Sequence, residues 1–250
     1  NEMVSGLVEA YGAPAVSQVL DAFTELGRNG DLIRVPGSDD YTAKKVLGTE
    51  RWALDQVRRE KGKTPPITTL DAIAARLSDV EKTHGLNLTP GQREAIALAL
   101  TTTDRYVAVQ GLAGTGKTTM LRTLRELAQE RGYVVRGMAP TGAASKKLKE
   151  GTGIETDTVA MFQIKERQLA KDIQFVKHYA DGFERKSELW VVDESSFLNQ
   201  RQDAQLKRMA EQAGAKIVFL GDSKQLQAIE AGKQVAVVVP TTLLAQVDSS

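Results

Sequence analysis

The sequence has no cysteine. That excludes disulfides, thiolate metal sites and a cysteine nucleophile, and it suits a reducing cytosol. Histidine is almost as scarce. His84 and His178 are the only two, and each reads as an ordinary surface residue rather than a metal ligand. No run of about eighteen apolar residues is present to span a bilayer, and no signal peptide opens the chain. A dominant charge is also missing. Lys and Arg number 33 against 32 Asp and Glu, a net +1, so any basic surface must be local. What is present is an ordinary apolar fraction, 41% of 250 residues, enough for a core in one large or two small domains. The opening Asn-Glu-Met reads as the start of a piece excised from a longer protein.

The first 64 residues read as a small α+β unit. Ala15, Val19, Ala22, Phe23 and Leu26 form a helical stripe over Pro14–Leu26. Gly27 to Gly30 stops it, Leu32–Val35 is a short strand, and a second helix is expected from Thr42 to Arg59. Helix, turn, strand and turn together resemble a winged-helix fragment. Between Lys44 and Lys63 there are seven basic and three acidic residues, read as a solvated face in preference to a DNA contact. Lys61 to Pro66 is the expected linker.

Residues 65–250 read as one α/β domain. Helices are expected at 67–82 and from Pro90 to Leu100, the latter capped by Thr89 with proline in its first turn. Strands are expected at 106–110, 133–138, 189–193, 216–221 and 234–239. Most are continuous apolar runs, the pattern of a parallel sheet covered on both faces. Residues 163–187 are polar and are expected to form a surface helix and loop.

Gly111 to Thr118 fits G-x-x-x-x-G-K-[ST] at every fixed position. A strand is expected before it and a helix with Leu121, Leu124 and Leu127 after it. Backbone N–H groups of such a loop cradle phosphates, and the helix N-terminus adds partial positive charge. Gly111, Ala113, Gly114, Thr115, Gly116, Lys117, Thr118 and Thr119 are therefore the expected ATP-binding residues. Lys117 would reach the β- and γ-phosphates and Thr118 would hold Mg²⁺.

Leu189 to Glu194 is an apolar strand ending in two acids. Asp193 would bind Mg²⁺ through water, and Glu194 would orient and deprotonate the attacking water. Gln225, after another apolar strand, could sense the γ-phosphate. In Ala139 to Ala144, Pro140, Thr141 and Gly142 could hold a DNA phosphate.

This set resembles superfamily 1 helicases of the RecD-like branch, and within it the helicase part of TraI/TrwC-type conjugative relaxases. Gln92 looks like the family's adenine-reading glutamine. Gly111–Thr118 looks like motif I, Ala139–Ala144 like motif Ia, and Asp193-Glu194-Ser195-Ser196 like motif II. Gly221–Gln227 looks like motif III. Thr158 and Phe162 look like a further DNA-contact segment. Ala143 stands where relatives often carry Arg, and Ala228 where many carry Pro. Gln234–Leu244 is similar instead to motif Ia of a superfamily 2 translocase.

The resemblance implies a RecA-like P-loop core, ATP and Mg²⁺ as cofactors, and single-stranded DNA as partner, tracked 5′ to 3′. It also implies a second motor domain with arginine fingers and a relaxase domain on the same polypeptide, with secretion or coupling proteins as further contacts. A single motor domain holds half of such an ATP site, so the fragment alone is expected to be weak or inactive. The alternatives are a RecD-like repair helicase, a non-catalytic single-stranded-DNA or docking module, and a kinase-like or signalling NTPase.

Overall fold

A computed structural model describes residues 13–34, 41–111, 116–179, 185–221 and 244–247. The chain divides into two compact units, 1–52 and 53–250. In the first, α1 (Ala13–Arg28) is followed by β1 (Leu32–Arg34) and β2 (Tyr41–Ala43), paired antiparallel with Ile33 opposite Thr42. α2 (Lys44–Arg59) begins directly after β2. The second helix thus starts later than its pattern suggests, because Tyr41–Ala43 is drawn into a hairpin.

The second unit holds α3 (Leu70–His84), α4 (Pro90–Thr101), β3 (Tyr106–Gly111), α5 (Lys117–Glu130), β4 (Val134–Ala139) and α6 (Gly142–Thr152). It continues with β5 (Glu155–Thr158), α7 (Val159–Tyr179), β6 (Glu188–Val192), α8 (Gln200–Ala213), β7 (Lys216–Gly221) and β8 (Leu244–Val247). The strands form one sheet in the order β5-β4-β6-β7-β3-β8. Every pairing in it is parallel. This is the parallel α/β core expected from the apolar runs.

Alternate residues of those runs serve opposite faces. Val107, Val109, Leu189, Val191, Val218 and Leu220 pack with Ile96, Leu121 and Leu124. Tyr106, Trp190, Val192, Ile217 and Phe219 pack with Phe162, Leu206 and Ala210. Strands covered on both faces have no solvated side, which is why their sequence does not alternate.

Caps fix where the helices begin. Thr89 and Gln92 form a capping box, with Pro90 in the first turn of α4, as expected. Lys61–Pro66, the expected linker, and the residue after it are hydrogen-bonded to the core. Gly62 N donates to Asp104 Oδ1 (2.7 Å), and Thr64 N and Oγ1 both donate to Thr103 O (2.9 Å). Ile67 N donates to Leu100 O at 2.8 Å. The expected strand at 234–239 lies outside the described residues. β5 is a strand that the polar Glu-Thr-Asp-Thr gave no reason to expect.

Candidate functional site

Four parallel strands deliver their carboxyl ends to one edge of the sheet. β3 ends at Gly111, β7 at Gly221, β6 at Val192 and β4 at Ala139. Gln110 pairs with Gly221, and Val192 with Phe219. The end of β7 therefore lies between the phosphate-loop strand and the strand carrying Asp193 and Glu194. Two strand spacings, about 10 Å, separate those two ends. A crevice at the carboxyl edge of an open α/β sheet is where such folds bind ligands.

Of the expected phosphate loop, residues 112–115, with Ala113, Gly114 and Thr115 among them, lie outside the described residues. Its two ends are fixed. Gly111 closes β3, and Gly116 caps α5 with φ 72°. That left-handed angle suits glycine. A Cβ there would also overlap the Gln92 amide nitrogen. Gln92 is buried, 5% exposed, and its Oε1 accepts from Thr89 N at 3.0 Å. The capping box thus seats Gln92 against the last glycine of the loop. Lys117 and Thr119 are half-buried in the first turn of α5. Thr118 is exposed, and its side chain lies over Gly151 of α6, where a Cβ would stand 2.9 Å from its methyl.

Asp193 N donates to Met138 O (2.9 Å), extending the β6–β4 ladder by one bond. Glu194 N donates to Asp193 Oδ1, also at 2.9 Å. Glu194 then turns left-handed, φ 50° and ψ 37°. It is the one non-glycine residue with positive φ among those described. For an L-residue this costs about 1–2 kcal/mol, and such strain concentrates at functional positions. A 3₁₀ turn, Ser195–Phe197, follows. Ser195 Oγ donates to Leu220 O of β7 at 2.8 Å. Gln225, beyond β7, lies outside the described residues.

The expected DNA contacts divide. Thr141 and Gly142 are exposed and Pro140 is half-buried at the start of α6. Thr141 Oγ1 accepts from Ala144 N at 3.2 Å. Thr158 caps α7 in the same way, accepting from Met161 N at 3.2 Å. Phe162 is a correction. It is 1% exposed, edge-on to Trp190 at 4.8 Å, with the Arg136 guanidinium 4.3 Å over its ring. Its faces belong to the core and are closed to a base.

The segment after Phe162 is also less superficial than its polarity suggests. Glu166 and Glu188 are buried, 3% and 6% exposed. Arg136 reaches Glu166 Oε2 (2.7 Å), and Arg185 reaches Glu166 Oε1 (2.5 Å) and Glu188 Oε1 (2.6 Å). Trp190 Nε1 donates to Glu188 Oε2 at 2.6 Å. Two arginines and two glutamates neutralise one another under α7. His84 pairs with Glu126 on the surface at 3.1 Å, away from any ligand set. Among the described residues no group of three or more His, Asp or Glu could hold a metal, and no helix is long and apolar enough to cross a membrane.

The family described as "AAA domain" matches residues 87–247. The multifunctional conjugation protein TraI of Escherichia coli K12 is 28% identical over 246 residues, 92% of this chain and 13% of TraI. The probable conjugal transfer protein TraA of Sinorhizobium fredii is 35% identical over 158 residues, 63% of this chain and 12% of TraA. The ATP-dependent RecD2 DNA helicase of Deinococcus radiodurans is 34% identical over 149 residues, 57% of this chain and 19% of RecD2. The chain spans under a fifth of the length of each of these relatives.

Proposed function

We propose a function from one premise: this chain belongs to the AAA-domain family, among its superfamily 1 helicases related to TraI. It would be the first motor domain of an ATP-dependent helicase that moves 5′ to 3′ on single-stranded DNA. A second motor domain and a relaxase domain would share its polypeptide in the bacterial cytoplasm, with secretion or coupling proteins as further partners. The observation that carries this reading is the strained Glu194 at the carboxyl edge, two strands from the phosphate-loop end and separated from it by β7.

ATP would lie across that crevice. Backbone amides from Gly111 to Thr119 and the Lys117 ammonium would hold its phosphates. Gln92, already against Gly116, would meet the adenine. Asp193 spends Oδ1 on the Glu194 amide. The Thr118 hydroxyl and, through water, Asp193 would hold Mg²⁺. Held there, it would supply positive charge to the phosphates. The Glu194 carboxylate would orient a water and take its proton. Gln225, following β7, would report the γ-phosphate. Thr141, Gly142 and Pro140, with Thr158, would hold the DNA backbone through exposed amides and hydroxyls. A RecD-like repair helicase is the second reading. The relaxase reading is preferred because the similarity to TraI extends over 92% of this chain, against 57% for RecD2.

Two measurements test the proposal. Lys117→Ala removes a charge-assisted contact, so ATP affinity by calorimetry should fall about 10-fold or more. Equal affinities would overturn the phosphate-loop assignment. Steady-state hydrolysis should rise with a long oligonucleotide in the complete polypeptide and stay low in residues 1–250 alone. A fragment as fast as the whole would favour a self-contained NTPase.

A further inference from the structure

We propose that Ser195 is a positioning residue that fixes the Glu194 carboxylate by tying the turn after it to the end of β7. The proposal rests on the reading of Glu194 as the general base.

The β6–β7 register ends with Val192 opposite Phe219. Leu220 is the first residue of β7 beyond that register, and its carbonyl takes the Ser195 hydroxyl at 2.8 Å. A side chain thus continues the link between the two strands where the backbone ladder stops. Just before it, Glu194 is bent into the left-handed region. Backbone bonds hold the two flanks of that bend, Asp193 N to Met138 O (2.9 Å) and Phe197 N to Glu194 O (3.0 Å). Neither reaches β7. Among the described residues, the Ser195 hydroxyl is the one side-chain hydrogen bond from the 3₁₀ turn to that strand.

The neighbouring glycine fits the same device. A Cβ on Gly221 would stand 3.3 Å from Ser195 Oγ and 3.8 Å from Ser196 Cβ and N. The first of these is tighter than ordinary van der Waals contact, so the hydroxyl would have to give way. Gly221 leads directly into the segment containing Gln225. A shift at the end of β7 would therefore pass through one hydrogen bond to the turn that aims Glu194. Misplacing a catalytic group by about 1 Å costs on the order of 100-fold in rate, without demanding any change in ground-state binding.

The test uses the complete polypeptide and steady-state ATP hydrolysis with saturating oligonucleotide. Ser195→Ala should lower kcat about 10-fold or more while KM for ATP stays within about twofold. Ser195→Thr keeps the donor and should recover kcat to within about threefold of wild type. Gly221→Ala, pressing on the same hydroxyl from outside, should fall between them. Wild-type kcat in Ser195→Ala would overturn the proposal, as would a threonine variant as slow as alanine. A loss of ATP affinity that accounts for the whole fall in rate would overturn it too, since the role would then be structural. Glu194→Gln run in parallel separates the two levels. If it is inactive and Ser195→Ala is normal, only the positioning role fails. If Glu194→Gln hydrolyses ATP at the wild-type rate, the general-base reading falls and this inference falls with it.

Discussion

The two edges of the same sheet are built to opposite rules. At the amino edge, polar groups are fastened. Arg105, just before β3, reaches Glu60 Oε2 at 2.6 Å and Ala215 O at 2.9 Å. Lys216, the first residue of β7, donates from a buried ammonium to Thr102 O. Tyr106 donates to Lys207 O at 3.1 Å, and burial pushes its hydroxyl pKa above the ordinary value. At the carboxyl edge, Glu194 is strained and Thr141 and Gly142 are exposed. One edge stabilises the domain. The other carries backbone strain, a pattern common where binding and chemistry occur.

Breaking the fastened edge should have the largest effect on stability. Arg105 and Glu60 have side chains only 10% and 13% exposed. Arg105→Ala leaves the nearly buried Glu60 carboxylate and the Ala215 carbonyl without this donor, so unfolding in urea should show a loss of about 3 kcal/mol. Nucleotide affinity of the folded protein should not change. If ATP binding weakens in step with stability, the two edges are coupled and the contrast fails.

Lys216 gives the same edge a pH dependence. Burial, with a smaller contribution from Arg105 and against Asp104, lowers its pKa from 10.5 to about 8. The unfolded chain keeps the proton up to about pH 10.5, whereas the folded chain releases it near pH 8. Between those values the unfolded state binds more protons, so stability rises with pH. The gain is complete above about pH 10.5 and lost as pH falls through 8. Allowing for solvent screening, it is on the order of 2 kcal/mol. Lys216→Met removes the titration. The wild-type minus variant stability, by urea unfolding at pH 7.5 and 10, should therefore grow with pH. A difference that is flat across this range would sink the assignment.

Legibility in the sequence follows the same division. The strand before Gly111–Thr118, the helix after it and the Asp193-Glu194 strand end could be read because each is a contiguous local pattern. β3, β4, β6 and β7 could be read because burial on both faces demands apolar runs. β5 could not, since an edge strand needs only one partner and Glu155 to Thr158 are polar. Phe162 shows why aromatics are ambiguous in a sequence. The same ring suits a stacked base or a core, and only the Trp190 and Arg136 contacts decide it. The Arg136–Glu166–Arg185–Glu188 group joins separate segments through side chains, so no spacing announces it. Ser195 is adjacent to a motif, yet its bond to Leu220 depends on sheet order, which no local pattern contains.

The smallest expected effect sharpens the contrast most directly, because it separates strain from chemistry at a single residue. Glu194 occupies φ 50° and ψ 37°. Glycine accepts that conformation without the roughly 1–2 kcal/mol that a Cβ costs there. It also raises the entropy of the unfolded chain, which gives back roughly 0.5–1 kcal/mol. Alanine keeps the Cβ and the strain but lacks the carboxylate, as glycine does. Comparing Glu194→Gly with Glu194→Ala therefore cancels the chemistry and leaves the backbone. The glycine variant should be more stable by about 1 kcal/mol, a shift of roughly 2–4 °C in Tm for a chain of this size. Both should be inactive in hydrolysis if Glu194 is the base. An alanine variant as stable as glycine would mean that no strain is stored at this turn. The carboxyl edge would then differ from the amino edge in exposure alone.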